Sequence, residues 1–119
     1  MKSQKRNLIF SLLMLCVLMG VDQFTKLLAI SRLKGQPSFI ILQSVLEFSY
    51  LENTGAAFSS FEGRQAFLIT LTVVVILLLA WKLFTLPATR RFTPMRLCML
   101  FILGGAGGNL LDRLVRHYV

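Results

Sequence analysis

Acidic side chains are scarce in this sequence, and charged residues as a whole are too few for an ordinary soluble domain. Only 5 of the 119 residues are Asp or Glu, whereas 13 are Lys or Arg, which gives a formal net charge of +8. Hydrophobic residues make up 55% and charged residues 15% of the chain. A soluble domain this apolar would leave large hydrophobic patches in water. The composition therefore favours a membrane protein.

The sequence also lacks the patterns that would indicate a bound metal, a cofactor or a nucleic acid. Cys16 and Cys98 lie inside apolar runs, with no CxxC spacing and no neighbouring histidine. We interpret them as free thiols among apolar residues and expect no metal and no cofactor. The basic residues stand in short groups beside apolar runs, and no nucleic-acid-binding motif accompanies them. We therefore expect no nucleic-acid partner.

Long apolar runs dominate the rest of the chain. A helix needs about 20 apolar residues to cross a bilayer, and three runs approach or reach this length, at about residues 8–30, 66–84 and 95–112. We predict an all-α integral membrane protein with three transmembrane helices that form a single membrane domain over residues 1–119. A long outer loop at about residues 31–65 and a short inner loop at about residues 85–94 would connect the spans.

The charge distribution predicts the orientation of these spans. Lys and Arg are enriched on the cytoplasmic side of membrane proteins. Two basic groups mark the predicted inner side: Lys2, Lys5 and Arg6, then Lys82, Arg90, Arg91 and Arg96. The outer loop carries basic residues as well, so basic counts alone do not decide the orientation. All five acidic residues nevertheless fall on the outer side: Asp22, Glu47, Glu52, Glu62 and Asp112. We predict a cytoplasmic N-terminus and an uncleaved first span, since no A-x-A cleavage site follows it.

The outer loop has the composition of a small sheet. Residues 38–42 and 45–51 are rich in β-branched and aromatic side chains with partial alternation, and Gly35 and Pro37 precede them. We expect a short β-sheet or ribbon in the first outer loop, lying against the outer membrane surface.

Polar residues recur at similar depth in the first and third spans. At about 1.5 Å per residue, Asp22 lies ~22 Å from the start of the first span and Asp112 ~25 Å from the start of the third. Lys26 follows Asp22 at i+4, on the same helix face. Asn109 and Arg113 flank Asp112. Ionisable residues within a membrane are costly and usually functional, so the sequence predicts a polar site near the outer face.

Small residues make a close approach between helices feasible at this level. Gly104 and Gly108 form a small-xxx-small pattern, which lets helix backbones approach in lipid. The outer loop adds a polar turn, Glu52-Asn53-Thr54-Gly55, that runs into small residues. Together these features predict a polar pocket walled by apolar helices. Its natural ligand would be a membrane-embedded segment with a polar stretch of backbone.

Simpler interpretations exist for each polar group. Asp22 and Lys26 are also explained as a snorkelling ion pair at a helix end, and Asp112 and Arg113 as a capping charge pair. A catalytic interpretation instead pairs Asp22 with Asp112, because two carboxylates that share a proton can activate water. Equal depth permits this pairing but does not establish it, since the rotation of each helix stays free.

Three motifs resemble one family. Residues 102–114, I-L-G-G-A-G-G-N-L-L-D-R-L, are similar to the signature of lipoprotein signal peptidase, also called signal peptidase II. Asp22 and Lys26 resemble that family's D-x-x-x-K motif in the first helix. Residues 52–58, E-N-T-G-A-A-F, resemble its N-x-G-A-A-F motif in the outer loop. The motifs occur in the family's order, and the resemblance covers the chain from the first helix to Val119.

The resemblance implies a specific activity. The family is a group of bacterial inner-membrane aspartic endopeptidases that remove signal peptides from prolipoproteins before a diacylglyceryl-modified cysteine. Its members have four spans and a small extracytoplasmic sheet, use no metal, and are blocked by globomycin. We accordingly expect a monomer that contacts membrane lipid, prolipoprotein substrates and globomycin-type inhibitors. By resemblance, the residues that bind substrate or support the pocket are Asp22, Lys26, Asn53, Gly55, Asn109, Asp112 and Arg113.

The resemblance assigns no catalytic residue to this chain. Within the pocket, it implies that Asn53 and Arg113 contact substrate backbone, while Asp22 and Asp112 act in structure and positioning. The family's catalytic aspartates lie downstream of its D-R pair, in a V-V-D-type motif and in an F-N-x-A-D motif of the fourth span. Both positions would come after Val119. We therefore expect a C-terminally truncated signal peptidase II that is inactive as a 119-residue chain.

Two other functions remain open on sequence grounds. The main alternative is a non-catalytic membrane protein that binds lipid-modified peptides without cutting them. A small transporter or channel subunit is a weaker one, and it would place Asp22 or Asp112 along a water path.

Overall fold

The computed structural model describes residues 2–55 and 63–119. Three residues of the outer-loop motif, Ala56, Ala57 and Phe58, lie outside the described residues, as does Glu62. The described elements are helix α1 (Lys2–Leu33), strands β1 (Phe39–Leu42) and β2 (Leu46–Phe48), helix α2 (Gln65–Thr85), a 3₁₀ turn (Arg90–Phe92) and helix α3 (Thr93–Val115). All three α-helices are long and apolar enough to cross a membrane. This confirms the predicted membrane-type helical fold with a small sheet.

Helix α3 packs against both α1 and α2. The most buried apolar side chains lie on α2 and α3, namely Leu68, Met99, Leu100 and Leu103. Most other large apolar side chains of the helices are exposed, as expected for surfaces that face lipid rather than water. The third helix therefore forms the centre of the bundle, and it carries the polar signature residues.

Local signals set the helix ends. Gly35 follows α1 with a φ of +73°, a left-handed conformation that suits glycine after a helix C-terminus. Pro94 lies in the first turn of α3, where its missing N–H removes no helical hydrogen bond. At the other end of α3, the backbone N–H groups of Arg116 and His117 both donate to the Asp112 carbonyl, at 2.7 and 3.0 Å. This turn sends the last residues back towards the first loop.

The sheet is a two-stranded antiparallel hairpin. Phe39 pairs with Phe48, and Leu42 pairs with Leu46, with a register shift between these pairs. All residues of both strands are exposed, including the apolar ones. The hairpin is thus an exposed part of the first loop. Its position against a membrane surface stays a prediction.

Candidate functional site

Asp112 is the centre of a polar cluster between α1 and α3. Its side chain is only 1% exposed. One carboxylate oxygen, Oδ1, accepts hydrogen bonds from Arg116 Nη2 and, at 3.1 Å, from Gln23 Nε2. The other, Oδ2, accepts from the Lys26 ammonium group. Two basic side chains and one amide thus supply hydrogen-bond donors to both oxygens of a single buried carboxylate.

Lys26 connects the two aspartates. Its Nζ lies 3.0 Å from Asp22 Oδ2 and forms an ion pair with Asp112 Oδ2. It also donates to Asn109 Oδ1 at 3.0 Å. An aspartic dyad needs one proton shared between two carboxylates. Here the Lys26 ammonium group lies between the two carboxylates instead. The geometry argues against Asp22 and Asp112 as a catalytic pair.

Glycines bring α1 and α3 together at the level of this cluster. A Cβ atom at Gly108 would overlap the Asp22 carboxylate, and one at Gly104 would lie 3.0 Å from Leu18 Cβ. The backbone carbonyl of Gly108 also accepts a hydrogen bond from Gln23 Nε2 at 3.2 Å. A side chain at either glycine would meet α1, so the small-xxx-small pair lies in the contact between the two helices.

Arg113 joins α3 to the outer-loop motif. Its side chain is 7% exposed, and its Nη2 donates to the Gly55 carbonyl at 2.9 Å. The N–H of Gly55 in turn donates to Asn53 Oδ1 at 2.9 Å, an Asx-type turn. Within residues 2–55 and 63–119, Arg113 Nε is buried without a hydrogen-bond partner. A buried guanidinium with a spare donor can bind a carbonyl of an extended peptide.

The residues after α3 also hold this loop in place through backbone hydrogen bonds. The backbones of Asn53 and Val119 exchange two hydrogen bonds, each 2.8 Å long. Gln65, at the start of α2, donates through its Nε2 to the carbonyls of Thr54 and His117, at 2.7 and 3.0 Å. His117 has a φ of +67°, which turns its carbonyl towards this contact. The loop motif is thus held by α2, by α3 and by the segment after α3.

A second, exposed polar cluster connects the first loop to the segment after α3. Lys34 pairs with Glu52 at 3.1 Å, and Tyr50 donates to Glu52 at 2.8 Å. These hydrogen bonds, that of Tyr50 first, hold the pKa of Glu52 below its usual value, and the Glu52 carboxylate raises the pKa of Lys34. Desolvation is the main cause of a raised pKa at Tyr50. The Tyr50 and Tyr118 hydroxyls also lie 3.3 Å apart.

A small cavity lies between the buried cluster and this exposed one. Its volume is about 130 Å³, enough for several water molecules. Its polar lining includes Lys26, Tyr50, Asp112 and Arg116. The cavity gives solvent or a ligand group a place beside the buried ions.

The seven residues proposed from the sequence lie in two neighbouring groups. Asp22, Lys26, Asn109 and Asp112 meet in the cluster around Asp112, whereas Arg113, the next residue on α3, contacts Gly55, whose N–H donates to Asn53. Two members of the cluster around Asp112, Gln23 and Arg116, were not anticipated from the sequence. Arg116 lies at i+4 from Asp112, so helical spacing could have indicated it. Gln23 carried no such signal, since adjacent helix residues point in different directions.

The described residues include no group of three or more His, Cys, Asp or Glu side chains that could hold a metal ion. Cys16 and Cys98 are free and exposed on their helices. The described side chains of the site offer charge and hydrogen bonds.

Comparisons with known proteins agree on one class. Residues 14–119 match the family described as Signal peptidase (SPase) II. The lipoprotein signal peptidase of Clostridium tetani is 39% identical over 105 residues, which are 87% of this chain and 66% of that protein. That of Clostridium novyi is 36% identical over 107 residues, 88% of this chain and 71% of the relative. The chain thus spans about two thirds of the length of these relatives.

One solved structure shares the fold. It is described as a bacterial membrane enzyme determined by the in meso method at 2.3 Å resolution. It matches with a TM-score of 0.76 and 25% sequence identity, over 92% of this chain and 66% of that one.

The three apolar helices and these matches together place the chain in a family of membrane proteins. The chain belongs to the signal peptidase II family, which confirms the family suggested by its three motifs.

Proposed function

We propose that this chain supplies the substrate-binding part of a lipoprotein signal peptidase. The activity is that of an aspartic endopeptidase that removes signal peptides from diacylglyceryl-modified prolipoproteins. The site would lie at the outer face of the bacterial cytoplasmic membrane, with the N-terminus in the cytoplasm. The basic residues before α1 and around the α2–α3 connection support this orientation.

One observation carries the proposal: Arg113, which follows Asp112 on α3, binds the Gly55 carbonyl of the outer-loop motif. The described parts of the three motifs therefore lie together at one end of the bundle. A substrate backbone that reached this unit would find the unpartnered Nε of Arg113 and the cavity beside Lys26. Charged donors within a low-dielectric surround bind peptide carbonyls more strongly than donors in water do.

Within this proposal, Asp22 and Asp112 are structural. Each is ion-paired with Lys26, which fits a role in holding α1 against α3. The family resemblance assigns the catalytic aspartates to sequence that would follow Val119. A polypeptide of these 119 residues would therefore bind a prolipoprotein without cleaving it, and no metal, cofactor or second copy is invoked.

The test is a paired binding and cleavage assay. The purified 119-residue protein in detergent is mixed with a synthetic diacylglyceryl-modified prolipoprotein peptide, and with globomycin as a competitor. We expect saturable binding, displacement by globomycin and no cleavage product. An Arg113→Lys variant should bind more weakly, because lysine lacks the planar fork that holds Gly55. Lys82→Gln, at the opposite end of the bundle, is the matched control.

Two outcomes would overturn the proposal in different ways. Absence of binding would contradict the substrate-binding role itself. Cleavage would contradict the inactivity of the 119-residue chain and return Asp22 and Asp112 to consideration as catalysts.

A chimera separates an enzyme part from a purely binding protein. Residues 1–119 would be fused to the unmatched C-terminal part of the Clostridium tetani relative. Cleavage by this chimera, lost again on Arg113→Lys, would support the peptidase. Binding without cleavage, by a folded chimera, would favour the non-catalytic binding protein.

A further inference from the structure

A second cavity lies at the opposite end of the bundle from the charge cluster. It has a volume of about 520 Å³, within the range of roughly 300–1,000 Å³ typical of ligand sites. All three helices line it. Its walls are mainly apolar and include Leu12, Leu15, Ile76, Ala80, Leu83 and Leu103. We call this cavity the inner groove.

The inner groove is about as long as one leaflet is thick. Along α1 it runs from Gln4 to Met19, and along α3 from Arg96 to Gly107. At 1.5 Å per residue these stretches span about 23 and 17 Å. Half of a bilayer's hydrocarbon core is about 15 Å. An extended acyl chain would fit from the membrane interface to the bilayer centre.

Met19 closes the groove towards the polar site. Its Sδ would lie 3.1 Å from a Cβ atom at Gly107, so the side chain fills the space over that glycine. Asp22 begins the charge cluster less than one turn further along α1. The inner groove and the cavity beside Lys26 have no described lining residue in common, so they are separate cavities of one bundle.

The open end of the groove is polar and positively charged. Lys5 and Arg96 line it together with Gln4, Asn7 and Ser11. Arg96 is only 7% exposed, and its Nη2 donates to the Pro87 carbonyl at 2.9 Å. No carboxylate is among the lining residues. A buried guanidinium without a nearby carboxylate favours an anion beside it.

We propose that the inner groove binds an anionic phospholipid. The headgroup phosphate would lie between Lys5 and Arg96, and one acyl chain would run along the apolar walls towards Met19. Basic pockets between transmembrane helices on the cytoplasmic side are sites of this kind. In the orientation proposed above, the lipid would come from the cytoplasmic leaflet.

Charge favours a lipid over a helix as the occupant. Signal peptides begin with basic residues, and transmembrane helices in general carry Lys and Arg at their cytoplasmic ends. This chain's own first helix does so too, with Lys2, Lys5 and Arg6. Any such helix in the groove would bring cations against Lys5 and Arg96, which is unfavourable. A phosphate has the complementary charge.

Native mass spectrometry of the purified protein in detergent tests the headgroup. Dioleoyl phosphatidylglycerol and dioleoyl phosphatidylcholine, which share their acyl chains, are titrated separately. We expect one phosphatidylglycerol to be retained in preference to phosphatidylcholine. Lys5→Gln should weaken this retention about fivefold, the contribution of one basic residue near a lipid phosphate. Lys2→Gln, an exposed lysine that does not line the groove, should leave it unchanged. Equal retention of both lipids, or equal effects of the two substitutions, would overturn the proposal.

A second pair of variants tests the apolar part without touching a charge. Ala80→Phe adds a ring inside the groove and should abolish retention of either lipid. Leu78→Phe, at a side chain that is 60% exposed on the same helix, should not. Circular dichroism melting establishes that both variants fold. Retention of phosphatidylglycerol by a folded Ala80→Phe protein would overturn the proposal. So would a wild-type dimer that retains no lipid and that Ala80→Phe dissociates, since a second copy would then be the occupant.

Discussion

The two helix–helix contacts of α3 differ in chemistry. Against α1 it presents glycines and a buried cluster of ions centred on Asp112 and Lys26. Among its described residues, α2 buries only an apolar side chain, that of Leu68. In lipid, apolar side chains gain little by leaving acyl chains for each other, whereas close packing and polar contacts are specific. The polar contact between α1 and α3 therefore sets the position of the site residues, whereas apolar packing adds general stability.

Asp112→Asn should have the largest effect on stability. It removes the charge that Lys26 and Arg116 share, and breaking a buried ion pair costs about 3–5 kcal/mol. Lys26 keeps Asp22 and Asn109, so a loss near 3 kcal/mol is expected. Unfolding titrations with SDS in mixed micelles give this value. Glu47→Gln, on an exposed strand, is the control, and a loss below about 1 kcal/mol for Asp112→Asn would mean that the ions hardly matter.

Gly108→Ala should come next. The added methyl would overlap the Asp22 carboxylate and push α1 away from α3, and overpacking of this kind costs about 1–3 kcal/mol. Gly105→Ala is the matched control, because nothing lies within 4 Å of a Cβ atom there. The control should gain up to about 1 kcal/mol from helix propensity. Equal melting temperatures for the two variants would contradict the close approach at Gly108.

Leu100→Ala probes the apolar packing around a fully buried side chain of α3. In water-soluble cores such a truncation costs about 2–5 kcal/mol, but part of that cost is lost transfer from water. In a membrane the unfolded reference keeps leucine in lipid, so we expect a loss below about 2 kcal/mol. The same SDS titration measures it. A larger loss of unfolding free energy than for Asp112→Asn would show that apolar packing contributes more than the ion cluster.

The exposed Lys34–Glu52 pair should have the smallest effect, visible only as a pH dependence. The lowered Glu52 pKa means that its contribution to stability is present above its ordinary value of 4.5 and is lost as the pH falls through its folded-state pKa. The raised Lys34 pKa means that its contribution is present below 10.5 and is lost at higher pH. Glu52→Gln should flatten both slopes in melting curves taken against pH. Unchanged slopes would show that the pair is fully screened.

The sequence predicted the helices well, because apolar runs of this length have few alternatives in a chain so poor in charge. Depth along α1 and α3 also predicted that Asp22 and Asp112 lie at one level. Rotation about each helix could not be read from spacing. It took the contacts at Gly104 and Gly108 to show that both aspartates face Lys26.

Other parts of the site depend on tertiary contacts with no local signal. Gln23 reaches α3 although it adjoins Asp22, because the close helices leave its long side chain a path to the Gly108 carbonyl. No sequence motif pointed to His117, yet its backbone carbonyl accepts a hydrogen bond from Gln65 through a left-handed turn. Such backbone roles leave no mark in side-chain chemistry.

A double-mutant cycle between Lys26 and Asp112 tests the central claim, that this ion pair joins α1 to α3 beneath the pocket. Lys26→Met and Asp112→Asn are measured singly and together by SDS unfolding. We expect a coupling energy of at least about 1.5 kcal/mol, as for close charge pairs at interfaces. A coupling at or below the ~0.6 kcal/mol average of polar contacts between membrane helices would contradict it.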